Sequence, residues 1–203
     1  MPNWCMNELE VMGEPVELKR FVESNMGLPA TYPPLPGEKE PRKKPTTPYF
    51  CFNALIPTPK EVLEIGFDAH RIIPELSKEY AFRGQTRYPI DGYHWDVANW
   101  GTKWDIYYDA ITAETMGWHE GADHICFSFE TAWSPPLYWL ETVARLFPSL
   151  YFKLHYEEPG CFYAGDFYAA GVDCLLDEYS DARCKNLFSW MLEGADEQVI
   201  EAM

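Results

Sequence analysis

Positive charge is scarce in this chain: 16 Lys and Arg stand against 32 Asp and Glu in 203 residues, a formal net charge of −16. That balance opposes non-specific binding to nucleic acid, because phosphate contacts need Lys and Arg. It also disfavours anionic membrane surfaces. Long apolar runs are lacking as well. No stretch approaches the ~18 consecutive apolar residues of a membrane span, so none is expected. Met1-Pro2-Asn3-Trp4-Cys5 carries no basic stretch followed by an apolar one, so no secretory leader is expected. The cysteines (Cys5, Cys51, Cys126, Cys161, Cys174 and Cys184) are scattered singly without C-x-x-C spacing, and no N-x-S/T acceptor occurs. They read as reduced, buried small hydrophobic residues rather than a disulfide framework or a metal site, and the expected location is the cytoplasm. Also missing are G-x-S-x-G, a Walker loop and G-x-G-x-x-G. His119-Glu120-Gly121-Ala122-Asp123-His124 is not a zinc-protease motif, since its histidines are five apart across a glycine rather than four apart on a helix.

What is present is apolar and aromatic: 47% hydrophobic residues and 16% aromatic ones. This excludes disorder, which needs low hydrophobicity. The length suits one domain, 1–203, able to bury roughly 70% of its unfolded surface.

Alternation over Cys5 to Met12 predicts a half-buried strand, with Cys5, Asn7, Leu9 and Val11 on one side. Pro15 to Glu23 has helical spacing (Val16, Leu18, Phe21, Val22) with proline in the first turn. Seven of the 21 residues in 28–48 are proline, which predicts an exposed loop. The apolar run Tyr49 to Ile56 suits a central strand. Residues 57–100 read as a helical and irregular insertion, with helices at Lys60 to Ile65 and Ala69 to Tyr80. Lys103 to Tyr108 reads as a short strand, and Asp123 to Thr131 as an alternating one. Ser134-Pro135-Pro136 predicts a capped start for a helix through Phe147. Strands are expected at Tyr151 to Glu157 and Cys161 to Ala170, and a helix at Ser180 to Leu192. The segment 173–203 is an acidic C-terminal extension, eight acids against Arg183 and Lys185, read as a solvated helical face or as carboxylates presented to a basic partner. Together these elements predict an α+β fold: a ferredoxin-like antiparallel sheet with helices on one face, plus the irregular helical insertion and the acidic C-terminal helix.

Particular residues point to a family. Met1-Pro2-Asn3-Trp4-Cys5-Met6-Asn7-Glu8-Leu9 with Val11 and Gly13 resembles the start of the YubB-like ferredoxin-fold family. Further matching blocks are Leu55-Ile56-Pro57-Thr58-Pro59, Asn99-Trp100-Gly101-Thr102-Lys103-Trp104, Phe129-Glu130-Thr131-Ala132-Trp133-Ser134-Pro135-Pro136, and Tyr156-Glu157-Glu158 with Gly165. The resemblance runs from residue 1 to about 170 and implies an accessory protein of a plasmid or bacteriophage, with no catalytic residue attached to it.

The candidate site comprises Asn99, Trp100, Thr102, Lys103 and Trp104, completed by Glu130 and Trp133. Two indoles, an amide, a hydroxyl and a lysine within six residues can stack a planar group and hold an anion. They serve equally as structure, with the amide capping a turn and the indoles filling a core. His124, Cys126 and His155 could converge on adjacent strands, but three ligands must align and no metal or cofactor is expected. No basic, glycine-aromatic RNA-binding pattern is present, so direct nucleic-acid binding is not expected. The leading expectation is a non-catalytic protein that binds a host protein through an acidic, aromatic-rich surface. The alternatives are a binder of, or an enzyme acting on, a planar, nucleotide-like anion at the Asn99–Trp104 segment, and a DNA mimic that inhibits a DNA-binding protein.

Overall fold

The computed structural model describes residues 3–32, 46–67, 91–106 and 111–189. Most of the proline-rich loop, the expected helix Ala69 to Tyr80, and the acidic chain beyond residue 189 lie outside the described residues.

β1 (Trp4–Met12) follows the alternation of its sequence: Cys5, Asn7, Leu9 and Val11 are buried while Met6, Glu8 and Met12 are exposed. α1 (Pro15–Ser24) buries Leu18, Phe21 and Val22, the inward stripe of its 3.6-residue period. β4 (His124–Ala132), β5 (Tyr151–Glu158), β6 (Tyr163–Ala170) and β7 (Asp173–Glu178) complete a five-stranded antiparallel sheet of order β4-β1-β5-β6-β7. β1 pairs antiparallel with both β4 and β5, so those two run parallel to each other on either side of it. They are joined by the helix Leu137–Leu146, labelled α5 here, which makes β4-α5-β5 a split β-α-β unit. An α+β, ferredoxin-like arrangement results. α5 buries Trp139, Leu140, Val143 and Ala144 in the same core that takes Phe21, Phe127, Phe129, Phe152, Leu154 and Phe167. Fully burying side chains of this size contributes roughly 1.5–3 kcal/mol each.

The run Tyr49 to Ile56 is not a central strand. Only Tyr49–Phe50, β3, is extended; it pairs with β2 (Met26–Gly27) in a separate two-stranded sheet. The chain then winds into α2 (Phe52–Leu55). The reason is a long-range cap: the Asp105 carboxylate accepts the backbone N–H of Phe52 at 2.7 Å and of Asn53 at 3.1 Å. Phe50 and Phe52 thereby become plugs, with edge contacts to Phe127, Phe129 and Trp139. Lys103 to Ile106 forms no strand either, because Asp105 turns inward to make that cap. Within the insertion, α3 (Lys60–Ile65) matches its expectation, and a second described helix, α4, spans Gly92–Trp100.

Three local expectations are corrected. Of the six cysteines expected to be buried, Cys126, Cys161 and Cys174 are exposed, because they lie on outward-facing strand positions or in a turn. Ser134 does not cap α5; its hydroxyl donates to the carbonyl of Gly101 at 2.7 Å, and the helix follows Pro136 without a side-chain cap. In the acidic extension, Asp173–Glu178 is an edge strand rather than part of a helical face, and α6 (Asp181–Leu187) follows it with Ser180 as its N-cap. α6 has its own small apolar cluster, in which Cys184 and Phe188 pack with Ala164. No helix among the described residues is long and apolar enough to cross a membrane.

Candidate functional site

α4 ends at Gly101, whose φ of +88° is the left-handed cap conformation, with its N–H bonded to Val97 O at 3.1 Å. A Cβ there would also sit 3.1 Å from the backbone nitrogen of Leu137, so the position demands glycine twice over. The following residues are pinned to the end of β4. Thr102 is fully buried and its hydroxyl donates to Ala132 O at 2.9 Å. Trp100 is fully buried, donates its indole N–H to Ile56 O at 3.1 Å, and packs against Trp95 and Phe52. Asn99 donates its side-chain amide to Trp95 O at 2.8 Å. Trp100 and Thr102 are therefore core, and Asn99 is committed to its own helix. Burial leaves Trp100 and Thr102 no surface to offer a ligand, while Asn99 is half-buried.

Lys103, Trp104 and Trp133 do come together. The Lys103 ammonium lies 4.1 Å from the ring centroid of Trp133, 4.9 Å from that of Trp104 and 5.9 Å from that of Tyr93. Such contacts contribute about 0.5–2 kcal/mol each according to their exposure. Trp133 is 44% exposed and holds a φ of +73°, a conformation that costs a non-glycine residue about 1–3 kcal/mol. It is held there on both sides: its N–H donates to Asn3 O at 2.9 Å and its carbonyl accepts the Tyr163 hydroxyl. Tyr93 was not among the sequence candidates, and only the contact of its ring with Trp133, just past the end of β4, reveals it. The result is an aromatic corner whose cation is the protein's own lysine.

Glu130 belongs elsewhere. It points to the face of the sheet opposite the main core, where register sets up rows of outward side chains. Glu130, Met6 and Glu157 form one row; Ser128, Glu8, His155 and Asp166 the next; Cys126, Glu10, Lys153 and Tyr168 the third. Glu8, Glu130, His155 and Glu157, with Met6 and Ser128, line a shallow groove of about 350 Å³. His155 bridges two carboxylates, Nδ1 to Asp166 at 2.9 Å and Nε2 to Glu157 at 3.1 Å. The Tyr179 hydroxyl donates to the second oxygen of Asp166 at 2.7 Å. Burial opposes the imidazolium charge, but the Glu157 and Asp166 bonds outweigh it and raise the pKa of His155 above its ordinary 6.5. Burial likewise works against the Asp166 carboxylate, yet Tyr179 and His155 hold its pKa below the ordinary value. In the third row the Lys153 ammonium bonds Glu10 at 2.8 Å, lowering the carboxyl and raising the amine. His124 is 3.7 Å from the other oxygen of Glu10.

The register also disposes of the convergence considered for His124, Cys126 and His155. β1 separates Cys126 from His155, and Glu10 engages His124. Among the described residues no three His, Cys, Asp or Glu side chains are placed so that they could hold a metal ion. The outward position of His155 was legible in the alternation of β5. Its pairing with Asp166 depends on the β5–β6 register and could not be read from either strand alone.

Residues 103–186 match the family model described as a ferredoxin-like domain in Api92-like protein. The matched stretch holds β4, α5, β5, β6 and β7, and so every strand of the acidic face except β1. Among solved structures, protein api92 from Yersinia pseudotuberculosis is similar at 11% identity, over 89% of this chain and 98% of that one, with a TM-score of 0.37. No curated protein matches the chain.

Proposed function

We propose that this is a non-catalytic binding protein whose open sheet face receives a basic protein partner. The observation that carries the reading is the outward set Glu8, Glu10, Glu130 and Glu157 on adjacent strands, answered on the same rows only by Lys153 and His155. Carboxylates in such an array raise the local concentration of a cationic partner and speed its approach, more than they add to final affinity. The resemblance to plasmid and bacteriophage accessory proteins supports a host protein as that partner, met in the cytoplasm of the host cell. A DNA-binding protein, for which the carboxylates would imitate phosphates, is one class of such partner.

The test is partner capture from host lysate with the full chain and two charge-reversed variants. Glu8→Lys with Glu157→Lys alters the open face. Glu61→Lys with Glu64→Lys makes the same change in net charge on exposed positions of α3. A basic protein held by the wild type and the α3 variant, lost from the face variant and released by salt, supports the proposal. Equal capture by both variants, or no stoichiometric partner, overturns it. Displacement of the partner by duplex DNA would identify it as a DNA-binding protein.

A second reading rests on Lys103, which has no carboxylate within ion-pair distance among the described residues and lies under the exposed ring of Trp133. This corner could hold a small planar anion. Nucleotides should then raise the melting temperature of the wild type and not of Lys103→Ala; an equal shift in both removes this reading.

A further inference from the structure

β7 closes the sheet on one side only. Its inner edge pairs with β6 from Ala170↔Asp173 to Gly165↔Glu178, and among the described residues no strand pairs with its outer edge: all six residues, Asp173 to Glu178, are exposed. An outer strand of a sheet leaves half of its N–H and C=O groups unpaired and ready to template another strand. Proteins blunt such edges with proline, charged side chains (lysine above all), a bulge or a covering element. The only charges on β7 are the acids Asp173, Asp177 and Glu178, which repel an acidic strand and not a basic one. The segment Asp173-Cys174-Leu175-Leu176-Asp177-Glu178 has neither proline nor lysine, and its register with β6 runs without a break. Leu175 is 63% exposed and Leu176 42% exposed, one on each side of the sheet, opposite Tyr168 and Phe167. An added strand would cover both leucines as well as satisfy the backbone.

Charge selects the occupant. Two copies of β7 paired antiparallel about Leu175 and Leu176 would set Asp173 against Glu178 and Cys174 against Asp177. In parallel register each acid would face itself. Like charges directly opposite destabilise a pair, so a second copy of this chain is disfavoured. A strand with apolar residues at its centre and Lys or Arg at both ends meets the leucines with apolar groups and the acids with cations.

We propose that β7 takes an extended, basic-flanked segment of another protein as a sixth strand. This rests on the reading that the partner is basic, but it assigns binding to the sheet edge by backbone pairing rather than to the open face by charge.

The probe is the synthetic peptide Lys-Lys-Val-Ile-Lys-Lys, titrated against the full chain by fluorescence anisotropy, with amide hydrogen exchange read along β7. Two further peptides carry N-methyl groups on alternate residues, one on each edge. Expected are binding, new protection of Asp173 to Glu178, and at least a ~tenfold loss for only one of the two N-methyl peptides, the equivalent of about one hydrogen bond. Leu175→Lys should also weaken binding; if that variant misfolds by circular dichroism, the N-methyl pair still decides. Equal binding of all three peptides shows attraction by charge alone and overturns the proposal, as does absence of binding. A concentration-dependent dimer that protects β7 without peptide overturns it in favour of a second copy. Capture through the open face can succeed while these peptides fail, so the two proposals fall separately.

Discussion

The ammonium of Lys103 rests 4.1 Å from the ring centroid of Trp133, a cation held by an aromatic residue that is itself held in a left-handed backbone conformation. Removing the cation should loosen the corner where α4 meets β4. Lys103→Ala is expected to cost about 1 kcal/mol in urea unfolding and to change tryptophan fluorescence, while Lys103→Arg keeps most of that stability. Equal loss in both variants would mean that stem packing, not charge over the rings, matters there.

Asp105 caps α2 from 53 positions away in sequence. Asp105→Ala leaves the N–H groups of Phe52 and Asn53 without their acceptor, and the expected loss is about 2–4 kcal/mol. Asp105→Asn, which keeps one acceptor oxygen, should lose less. Chemical denaturation at pH 5 distinguishes them.

Two buried carboxyls should make stability fall as pH rises. Burial pushes Asp105 up to about 6 and Asp96 well above its ordinary 3.8. Asp96 accepts the Tyr32 hydroxyl at 2.8 Å on one oxygen, and its other oxygen has no hydrogen-bond partner among the described residues. A carboxyl with a raised folded pKa contributes stability that is complete below 3.8 and is lost as pH climbs through the folded value. Asp96→Asn retains the acceptor for Tyr32 and abolishes its share of that slope. The variant should gain on the wild type progressively as pH rises above 3.8, by up to about 1.4 kcal/mol per pH unit within the titration window. Parallel stability–pH curves would refute it.

The His155–Asp166 pair has the opposite requirement at its acid end. The histidine pKa is raised, so its contribution is full below 6.5 and lost as pH rises beyond. The aspartate pKa is depressed, so its contribution is present above 3.8 and lost as pH falls through the lower folded value. The stability margin of wild type over His155→Gln should therefore be widest between those two pH values. An NMR titration should place His155 above 6.5, and Asp166→Asn should lower its midpoint. A midpoint unchanged by Asp166→Asn would show that Glu157 alone sets it.

Tyr179 fixes the remaining oxygen of Asp166. Tyr179→Phe should cost about 1–2 kcal/mol, as for a hydrogen bond to a charged acceptor. It should also let the Asp166 pKa rise. A stability unchanged at pH 5.5 would mean that water replaces the phenol without loss.

Period alone determined much of this protein. Alternation in β1, β4 and β5 fixed which side chains face the core, because a strand has only two faces, and the spacing of Leu18, Phe21 and Val22 did the same for α1. Composition fixed the acidic character and the aromatic core. Tertiary structure decided what depends on partners distant in the chain. Tyr49 to Ile56 is apolar enough for a strand, yet Asp105 supplies the cap that coils it. Trp100 and Trp133 are both indoles in candidate blocks, yet packing of α4 buries one and leaves the other over a lysine. Asp173 to Glu178 reads as acidic surface until β6 offers it an edge. In each case local sequence left two states close in energy, and one long-range contact chose between them.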